Sequence, residues 1–487
     1  MLKWIWYPAI TGGSVSVMHS ALLIDFGSTY TKVTAVDLDN ESILGRAQSP
    51  TTIETDIMIG LGKALDDLEK RSGISPYSFT ERYASSSAAG GLKMAAIGLV
   101  PSLTLEAAHC ACLGAGAKVV CSYGYEIDGE IISEIENYRC DIVMLAGGTD
   151  GGNKNVIIHN AHELASSAID CPILVCGNRN AQSTVRQILE DTGKRVYKAG
   201  NVLPSLEIVD VEPAQQIIRD IFIEHIIKAK GLSEAQDYIG RNIIPTPMAS
   251  LLAASLLANG TETESGIGSV LVIEVGGATT NIHSVCDNEP VTQQTIMRGL
   301  PEPQVKRTVE GDLGIRWNSN TLFEMVGQQQ LMSNLREITD PCPDNVDFEK
   351  YTEFLYANVG HTPKNDLEYD LDVTLARTSA GIAVERHAGR TKTEPTVMGD
   401  VLVQYGKNLL KVSNIIGTGG IFKYGKNPQR ILKAALFNPD SPESLRPTAP
   451  RGWIDSDYVL YGIGLLSGDY PDKALRIAKK HLTSVEL

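Results

Sequence analysis

The sequence predicts an α/β protein of two lobes, and three observations lead to this prediction. The chain has 487 residues, which is too long for one hydrophobic core, so two or more domains are expected. Apolar runs of strand length alternate with helical patterns along most of the chain. Two strand–turn–strand units with glycine turns, "LLIDFGSTYTKVTAVDL" and "SVLVIEVGGATTNIHSV", lie about 250 residues apart, and we expect one in each lobe.

The composition is that of an ordinary globular protein, with 43% apolar and 21% charged residues. A net charge of -15 without a block of Lys or Arg argues against nucleic acid or an anionic membrane as a main partner. The eight cysteines are scattered, which favours free thiols in a reducing compartment. No apolar run reaches the ~20 residues needed to span a bilayer, and the N-terminus lacks a secretory pattern. We therefore expect a cytoplasmic protein in which residues 1–17 form an extension without an assigned role.

The first half of the chain begins with the first hairpin and then alternates helices and strands. "GLGKALDDLEKRSG" predicts a helix that ends at Gly73, and "ERYASSSAAGGLKMAAIGLV" predicts two strands around a small-residue loop. A helix, "SLTLEAAHCACLGAG", precedes the strand "AKVVCSY". The run from "DIVMLAGG" through "NVIIHNAHELASSA", "PILVCGN" and "AQSTVRQILEDTG" to "RVYKAG" then predicts a doubly wound α/β subdomain inserted at about 141–200.

The second half begins with "TPMASLLAASLLANG", which predicts a helix rich in small residues, and continues with the second hairpin. Residues 301–400 are mostly helical by pattern. "VSNIIGTGGIFKYG" predicts a strand and a glycine turn, "NPQRILKAALF" a helix, and "DSDYVLYGIGLLSG" a closing helix. The predicted domains are a first lobe at 18–264, a second lobe at 265–445, and a C-terminal helix within 446–487 that returns to the first lobe.

The two hairpins carry the residue types that bind phosphate and magnesium. A glycine turn exposes successive backbone N–H groups, and neighbouring hydroxyls add donors for phosphate oxygens. An acid beside each turn, Asp25 and Glu274, is placed to hold Mg²⁺ or its waters. Chance glycine turns are the alternative, which two matching copies make less favourable. The predicted phosphate-binding residues are Gly27, Ser28, Thr29, Tyr30, Thr31, Lys32, Gly276, Gly277, Ala278, Thr279 and Thr280.

A third element, "IIGTGG" at 415–420, is an apolar strand that ends in glycines. Such a turn lets a flat ring approach the backbone closely, so it suits adenine and ribose. Alone it is a common loop, but it is informative after two phosphate hairpins. The predicted cofactor is therefore ATP or ADP with Mg²⁺, and the residues assigned to the adenosine turn are Gly417, Thr418, Gly419 and Gly420.

A further glycine-rich segment, "LAGGTDGGNKN", spans the loop from Gly147 to Gly152 between a predicted strand and a predicted helix. This pattern is typical of an anion site at a helix N-terminus, but a packing turn explains it equally well. Three histidines, His109, His159 and His162, lie on or near apolar helices, where a structural role is favoured over ligation.

The order of these elements resembles the actin, sugar-kinase and heat-shock-chaperone ATPase superfamily. "IIPTPMASLLAASLLA" and "DYVLYGIGLLS" resemble its two connecting helices, whose small residues allow a close crossing that acts as a hinge. Several phrases are similar to the MutL or GlmL family of glutamate mutase reactivation proteins, which is unrelated to the mismatch-repair MutL. These phrases run from about residue 21 to the C-terminus and include "SSAAGGLKMAAIGLVPSLTLEAA", "LAGGTDGGNKNVIIHNA", "GNRNAQ" and "NIIGTGGIFKYG".

This resemblance implies a partner, an adenosylcobalamin-dependent mutase such as glutamate mutase or a related aminomutase. A mutase of this kind loses activity when its cofactor loses the adenosyl group and the damaged cobalamin stays bound. The reactivating factor then acts like a chaperone. Its nucleotide state opens or closes the cleft, and the closure is coupled to a protein interface through which intact cofactor replaces the damaged one.

The sequence departs from the family pattern at the second hairpin, where the family usually has Asp at the positions of Glu274 and Asn281. Glu274 keeps the charge on a longer side chain, whereas Asn281 cannot act as a carboxylate base. The candidate catalytic residues are Asp25, Glu274 and Asn281. Nucleotide binding is expected to survive these changes, but hydrolysis is expected to be slow, and both a weak ATPase and a binding-only protein remain open.

Three other functions compete with the reactivating factor. A small-molecule kinase needs a carboxylate base for its substrate hydroxyl, and no additional acid is marked near the hairpins. ATP-dependent activators of 2-hydroxyacyl-CoA dehydratases share a nearly identical "DxGSTxTK", but they carry an iron–sulfur cluster on cysteines, for which this sequence has no suitable arrangement. An actin-like polymer former is the third alternative. The sequence leaves the oligomeric state open, so an oligomer remains compatible with it.

Overall fold

A computed structural model describes residues 19–487 except 53–55, 88–91, 116, 207, 222–231, 344 and 397–398. The predicted extension at 1–17 lies outside the described residues. Within this part of the chain, none of the helices is both long and apolar enough to cross a membrane.

The strands of the described residues fall into four sheets. In chain order they are β1 (Ser20–Phe26), β2 (Tyr30–Asp37), β3 (Ser42–Pro50), β4 (Glu81–Ser86), β5 (Leu92–Gly98), β6 (Ala117–Gly124), β7 (Ile142–Leu145), β8 (Ile173–Val175), β9 (Val196–Lys198), β10 (Ile244–Pro245), β11 (Val270–Val275), β12 (Thr280–Val285), β13 (Ile296–Arg298), β14 (Val305–Glu310), β15 (Arg390–Thr396), β16 (Gly399–Tyr405), β17 (Asn414–Thr418), β18 (Arg451–Asp455) and β19 (Leu482–Val485).

The helices cover these sheets, and a short π-helical segment, Pro101–Leu105, leads into the second of them. In chain order they are α1 (Ile57–Ser72), α2 (Glu106–Ala115), α3 (Gly129–Tyr138), α4 (Asn155–Ser166), α5 (Gln182–Glu190), α6 (Glu212–Ile221), α7 (Leu232–Ile239), α8 (Thr246–Asn259), α9 (Ser319–Arg336), α10 (Phe348–Ala357), α11 (Asp366–His387), α12 (Gly420–Tyr424), α13 (Gln429–Lys433), α14 (Leu460–Leu466) and α15 (Pro471–His481).

The two lobes are built on sheets with the same arrangement of strands. The first sheet has the order β10-β4-β1-β2-β3, and the second has the order β14-β12-β11-β17-β18-β19. Within each of these sheets, with the strands counted in chain order, the first strand pairs antiparallel with the second, and the second pairs antiparallel with the third. The fourth strand pairs parallel with the first on its other side. This repeated arrangement is the actin-like ATPase fold, and the predicted fold class is confirmed.

The central strands explain why the two hairpins were recognisable in the sequence. Every residue of β1 and of β11 is buried, because other strands and helices cover both. A strand that is buried on both faces reads as a continuous apolar run rather than as an alternating one. Each of these runs ends at the acid that precedes the glycine turn.

The inserted subdomain is larger than the sequence indicated. Its sheet has the order β6-β5-β7-β8-β9, all strands are parallel, and it covers residues 92–198. The predicted range of about 141–200 therefore contains only the second half of the subdomain. The first half was missed because the apolar runs of β5 and β6 carry no local signal of the sheet that they join.

The C-terminal segment divides its contacts between the lobes. The predicted helix is present as α14 and α15, which pack against α8. The strands β18 and β19, which the sequence analysis did not separate from this helix, instead extend the sheet of the second lobe. The segment at 446–487 is thus a lobe-crossing segment rather than a helix that only returns to the first lobe.

The two small-residue helices cross with their backbones in close contact. A Cβ atom added to Gly464 of α14 would lie 1.8 Å from the carbonyl oxygen of Ala249 in α8. Small side chains on both helices allow this approach, as the sequence pattern suggested. The sequence did not predict the small sheet of order β13-β16-β15, part of which lies in the segment that was expected to be mostly helical.

Candidate functional site

Both hairpin turns line one cavity of about 480 Å³ between the lobes. A Cβ atom added to Gly277 in the second turn would lie 3.1 Å from the hydroxyl oxygen of Thr29 in the first. The turns therefore face each other across a narrow gap. The hairpin residues that line the cavity are Asp25, Gly27, Ser28, Thr29, Tyr30, Lys32, Glu274, Val275, Gly276, Gly277, Ala278, Thr279 and Asn281.

The first turn is closed by a hydrogen bond from the Gly27 backbone N–H to the Tyr30 carbonyl oxygen, at 3.1 Å. A Cβ atom at Gly27 would lie 2.6 Å from that oxygen, so only glycine fits the turn. Thr31 is the one residue of the predicted set in this hairpin whose side chain points elsewhere. It is fully buried, and its hydroxyl lies 3.1 Å from that of Thr51.

Asp25 is a buried carboxylate with three side-chain donors around it. Its Oδ2 atom accepts a hydrogen bond from Lys32 Nζ at 2.8 Å. Its Oδ1 atom accepts from the Ser85 hydroxyl at 3.1 Å and from the Thr246 hydroxyl at 2.7 Å. The side chain is only 1% exposed, so these contacts fix its orientation at the end of β1. A carboxylate has about four acceptor positions, which leaves capacity for a metal-bound water.

Lys32 brings a positive charge to the end of the cavity that the first hairpin lines. Its ammonium group donates to the hydroxyl of Tyr458 at 3.2 Å and lies 4.5 Å from the centre of the same ring. Burial by itself lowers the pKa of Lys32, but the Asp25 carboxylate and Tyr458 outweigh burial and raise this pKa above its ordinary value. The ammonium group is therefore charged at physiological pH.

The second turn has the same closure, with a hydrogen bond from the Gly276 N–H to the Thr279 carbonyl oxygen at 2.8 Å. The loop that follows β14 supports it from behind, because the Arg316 N–H donates to the Gly277 carbonyl oxygen at 2.9 Å. Thr280, which was predicted to bind phosphate, is fully buried and donates to the Leu313 carbonyl oxygen at 2.7 Å. Its side chain therefore has a structural role.

The acid of the second hairpin has neutral neighbours. Glu274 Oε2 accepts from the Asn281 amide at 3.1 Å and lies 3.6 Å from Nε2 of His283, a ring that is fully buried. Burial lowers the pKa of His283, so the ring is neutral at physiological pH. Burial raises the pKa of Glu274, but the adjacent His283 ring, the hydrogen bond from the Asn281 amide and the charge of Lys32 together lower this pKa below its ordinary value.

The donor set at the cavity fits a magnesium ion that keeps several waters. Asp25 and Glu274 supply hard oxygen atoms, which Mg²⁺ prefers. The Oδ1 atom of Asn281 is buried and has no hydrogen-bond partner among the described residues, so it is an acceptor suited to a metal-bound water. No group of three or more His, Cys, Asp or Glu side chains with metal-binding geometry occurs in the described part of the chain. The oxygen atoms of Asp25, Glu274 and Asn281 fit Mg²⁺ held together with phosphate and water.

The predicted adenosine turn reaches the cavity mainly through Gly420. Gly417 packs against the ring of Phe422, and a Cβ atom at Gly419 would lie 2.6 Å from the Val275 carbonyl oxygen. Thr418 donates to the buried carboxylate of Asp455 at 2.8 Å. Gly417, Thr418 and Gly419 therefore support the sheet. The residues after the turn, Ile421, Tyr424 and Gly425, are the ones that line the cavity beside Gly420.

Several cavity residues were missed by the sequence analysis, because distant parts of the chain bring them to the site. Thr246 lies at the start of α8, and Tyr458 lies just before α14. Arg316 forms an ion pair with Asp372 of α11, and both side chains line the cavity. A loop that includes His361 contacts the first hairpin, since Tyr30 OH donates to the Gly360 carbonyl oxygen at 3.4 Å.

The loop from Gly147 to Gly152 lies in the inserted subdomain and does not line the cavity. Its acid, Asp150, accepts hydrogen bonds from the Arg179 backbone and the Asn201 amide, both at 2.9 Å. These contacts are those of a packing turn. Among the three histidines, the His159 ring bonds the Ile127 carbonyl oxygen at 3.0 Å, which is a structural contact.

Comparison with known proteins shows which family the chain belongs to. The family model for MutL protein matches residues 21–482. The chain is 45% identical over 468 residues to Protein MutL of Clostridium tetanomorphum, which covers 96% of this chain and 100% of that protein. The chain belongs to the MutL family.

The MutL-family chain also resembles solved structures at low sequence identity. The nucleotide-free structure of acetone carboxylase is 13% identical with a TM-score of 0.37, and the match covers 92% of this chain and 70% of that one. Gluconate kinase from Lactobacillus acidophilus is 11% identical with a TM-score of 0.36, and the match covers 96% of this chain and 93% of that one.

Proposed function

We propose that this MutL-family protein binds ATP or ADP with Mg²⁺ between its two hairpins and acts as a reactivating factor for an adenosylcobalamin-dependent mutase. The observation that carries the nucleotide part is the shared cavity, in which two glycine turns of equal design face each other. The mutase part is supported by the resemblance to reactivation proteins. The proposed partner proteins are glutamate mutase and related aminomutases.

Phosphate binding is assigned to the first hairpin. The turn presents backbone N–H groups and the Ser28 and Thr29 hydroxyls to the cavity, and Lys32 adds a positive charge. Asp25 and Glu274 hold the magnesium ion or its waters. A bound magnesium ion supplies charge neutralisation at the phosphates.

The base of the nucleotide is assigned to the cavity wall in the second lobe. Here Ile421 and Tyr424 follow the glycine turn, and Pro363 and Tyr369 lie beside them. Apolar and aromatic side chains suit a flat ring, because they give close contact on its faces. This wall also joins the lobes, since the loop before Pro363 contacts Tyr30 in the first hairpin.

Hydrolysis is expected to be slow. Asn281 is an amide, and it occupies the position at which a carboxylate would orient an attacking water. The neighbouring His283 is buried and neutral, so it adds no charge at this point. The nucleotide therefore stays bound for long periods and holds the two lobes together during that time.

We assign the action on the mutase to closure of the cleft between the lobes. Contacts between the lobes run through Thr29 and Gly277 and through Tyr30 and Gly360, all beside the nucleotide cavity. We propose that the lobes rotate about the close backbone crossing of α8 and α14, at Gly464 and Ala249. A ligand that binds the closed state more tightly shifts the protein toward it.

The cavity is less suited to a small-molecule kinase. The acids that line it are Asp25, Glu274 and Asp372. Asp25 is held by Lys32, and Asp372 is held by Arg316 and by the Tyr351 hydroxyl at 2.8 Å. A kinase base must reach the hydroxyl proton of its substrate. In the described residues these two acids are already engaged, and Glu274 is assigned to the metal.

The test is a reactivation assay on glutamate mutase and, separately, on an aminomutase. Each holoenzyme is first inactivated until its bound cobalamin lacks the adenosyl group. Purified MutL-family protein, Mg-ATP and fresh adenosylcobalamin are then added, and mutase activity is followed. We expect activity to return with one of the two enzymes only when both the protein and Mg-ATP are present.

The matched control is the Asp25→Ala variant, which keeps the partner surface but loses the carboxylate at the nucleotide cavity. It is expected to give no recovery. Recovery without nucleotide, or no recovery with either mutase, would contradict the proposed function.

A further inference from the structure

Tyr458 combines an unusual backbone conformation with a place at the nucleotide cavity. Its φ angle is 51°, which lies in the left-handed region that bulky side chains rarely adopt. The residue precedes α14, and its side chain lines the cavity. A strained residue at a binding site persists only when its surroundings fix it, and such residues concentrate where geometry matters for function.

The segment around Tyr458 is fixed from both lobes. Asp455 accepts hydrogen bonds from the Val459 and Leu460 N–H groups, at 3.0 Å and 2.9 Å, and so caps α14. Asp457 accepts from Arg46 of the first lobe at 2.7 Å, and its carbonyl oxygen accepts from Lys423 of the second lobe at 3.3 Å. These anchors determine the backbone on both sides of Tyr458.

The strained backbone places the Tyr458 hydroxyl against one group, the ammonium of Lys32. Lys32 has three N–H donors, of which one goes to Asp25 and one to Tyr458. The third is available to a phosphate oxygen. Burial raises the pKa of Tyr458 to about 12, so the hydroxyl stays neutral and does not compete with phosphate for the charge of Lys32.

We propose that Tyr458 is a positioning residue that holds the Lys32 ammonium group toward the phosphates of the nucleotide, against the pull of Asp25. This inference rests on the proposed function, because it assumes that the cavity binds a nucleotide. Without the hydroxyl, Lys32 has only Asp25 as a partner. The ammonium then keeps its 2.8 Å hydrogen bond to Asp25 but loses the contact that directs its third N–H toward the phosphates.

The test compares Tyr458→Phe with Tyr461→Phe, a matched control three residues later, on α14. The Tyr461 hydroxyl lies 3.2 Å from that of Thr34, and this residue does not line the cavity. Calorimetry gives the dissociation constants of Mg-ATP, Mg-ADP and AMP for both variants and for the unaltered protein. Tyr458→Phe is expected to weaken Mg-ATP and Mg-ADP about 10-fold, the effect of one hydrogen bond to a charged group.

AMP affinity is expected to change little in Tyr458→Phe, because Lys32 serves the outer phosphates, and Tyr461→Phe is expected to bind all three nucleotides normally. Equal weakening of all three nucleotides in Tyr458→Phe would indicate a general structural effect and overturn the proposal, as would unchanged affinity for Mg-ATP. If the unaltered protein binds no nucleotide, the proposed function itself fails, which distinguishes the two cases.

A double-mutant cycle provides a second readout that a purely structural role would not move. Lys32→Met and Tyr458→Phe are measured singly and together for Mg-ATP affinity. If Tyr458 acts through Lys32, the double variant is expected to lose no more affinity than Lys32→Met alone. Additive losses would show that the two residues act independently and would overturn the proposal.

Discussion

The two hairpins have one backbone design and different electrostatics. Each lies between the first and second strand of its lobe, and each turn is closed by the same hydrogen bond between its first glycine and the residue three positions later. The first hairpin has an ion pair, Asp25 with Lys32, surrounded by hydroxyl donors. The second has Glu274 beside a neutral amide and a neutral, buried imidazole ring.

The two hairpins share their backbone geometry because of the fold, whereas their side chains give each one a different charge. The repeated strand order brings two glycine turns to one cavity, whatever residues follow them. In our proposal, the charged pair makes the first turn the phosphate anchor, whereas the second turn orients metal and water. A carboxylate at position 281 would make the second hairpin more similar to the first, and we expect the amide there to keep hydrolysis slow.

The largest expected effect comes from the acid of the first hairpin. Asp25→Ala leaves Lys32 and two hydroxyls without their shared acceptor and removes a metal-binding group. We expect Mg-ATP affinity, measured by calorimetry, to fall about 100-fold or more, as is typical when a buried charged pair is broken.

The control for this variant is Asp37→Ala, at the far end of β2. Asp37 is also buried, and among the described residues its side chain accepts hydrogen bonds within its own turn, from Asp39 and Asn40. It is expected to lower stability and leave Mg-ATP affinity unchanged. Unchanged affinity in Asp25→Ala would show that the first hairpin is not the phosphate anchor.

The next effect concerns turnover at the second hairpin. Asn281→Asp introduces a carboxylate that can orient and polarise the attacking water, a role worth about 10²-fold or more in rate. Steady-state ATP turnover is expected to rise while nucleotide affinity is retained.

A flat rate in Asn281→Asp would show that this position does not limit hydrolysis. Glu274→Asp, which draws the carboxylate back by one methylene, is then the next variant to measure. If the two changes together also leave turnover flat, the protein is a nucleotide-gated binding module rather than an ATPase.

The smallest effect compares the two turns directly. A Cβ atom at Gly27 would lie 2.6 Å from the Tyr30 carbonyl oxygen, whereas one at Gly276 would lie 3.1 Å from that of Thr279. Gly27→Ala therefore forces the backbone to move and is expected to weaken Mg-ATP about 10-fold, and Gly276→Ala about 2-fold. Equal losses, determined with fluorescent ATP analogues, would contradict the assignment of different roles to the turns.

Local patterns predicted the hairpins, because a buried strand, an acid and a glycine turn follow one another in the sequence. They did not predict where the inserted subdomain begins, because sheet membership of β5 depends on pairing with β6 and β7. The same limit applies to Thr418, whose hydroxyl is taken by Asp455, and to Thr280, which bonds to Leu313. Tyr458 was missed because a left-handed backbone at a tyrosine has no sequence signature.

The central claim is that one nucleotide is held by both hairpins at once. Hydrogen–deuterium exchange with and without Mg-ATP measures this directly, since a ligand enclosed between both turns slows the opening and exchange of their backbone N–H groups. We expect protection in both turns, at residues 27–32 and at residues 276–280, and its loss in both when Asp25 is replaced by Ala. Protection in only one turn, or in neither, would contradict the account.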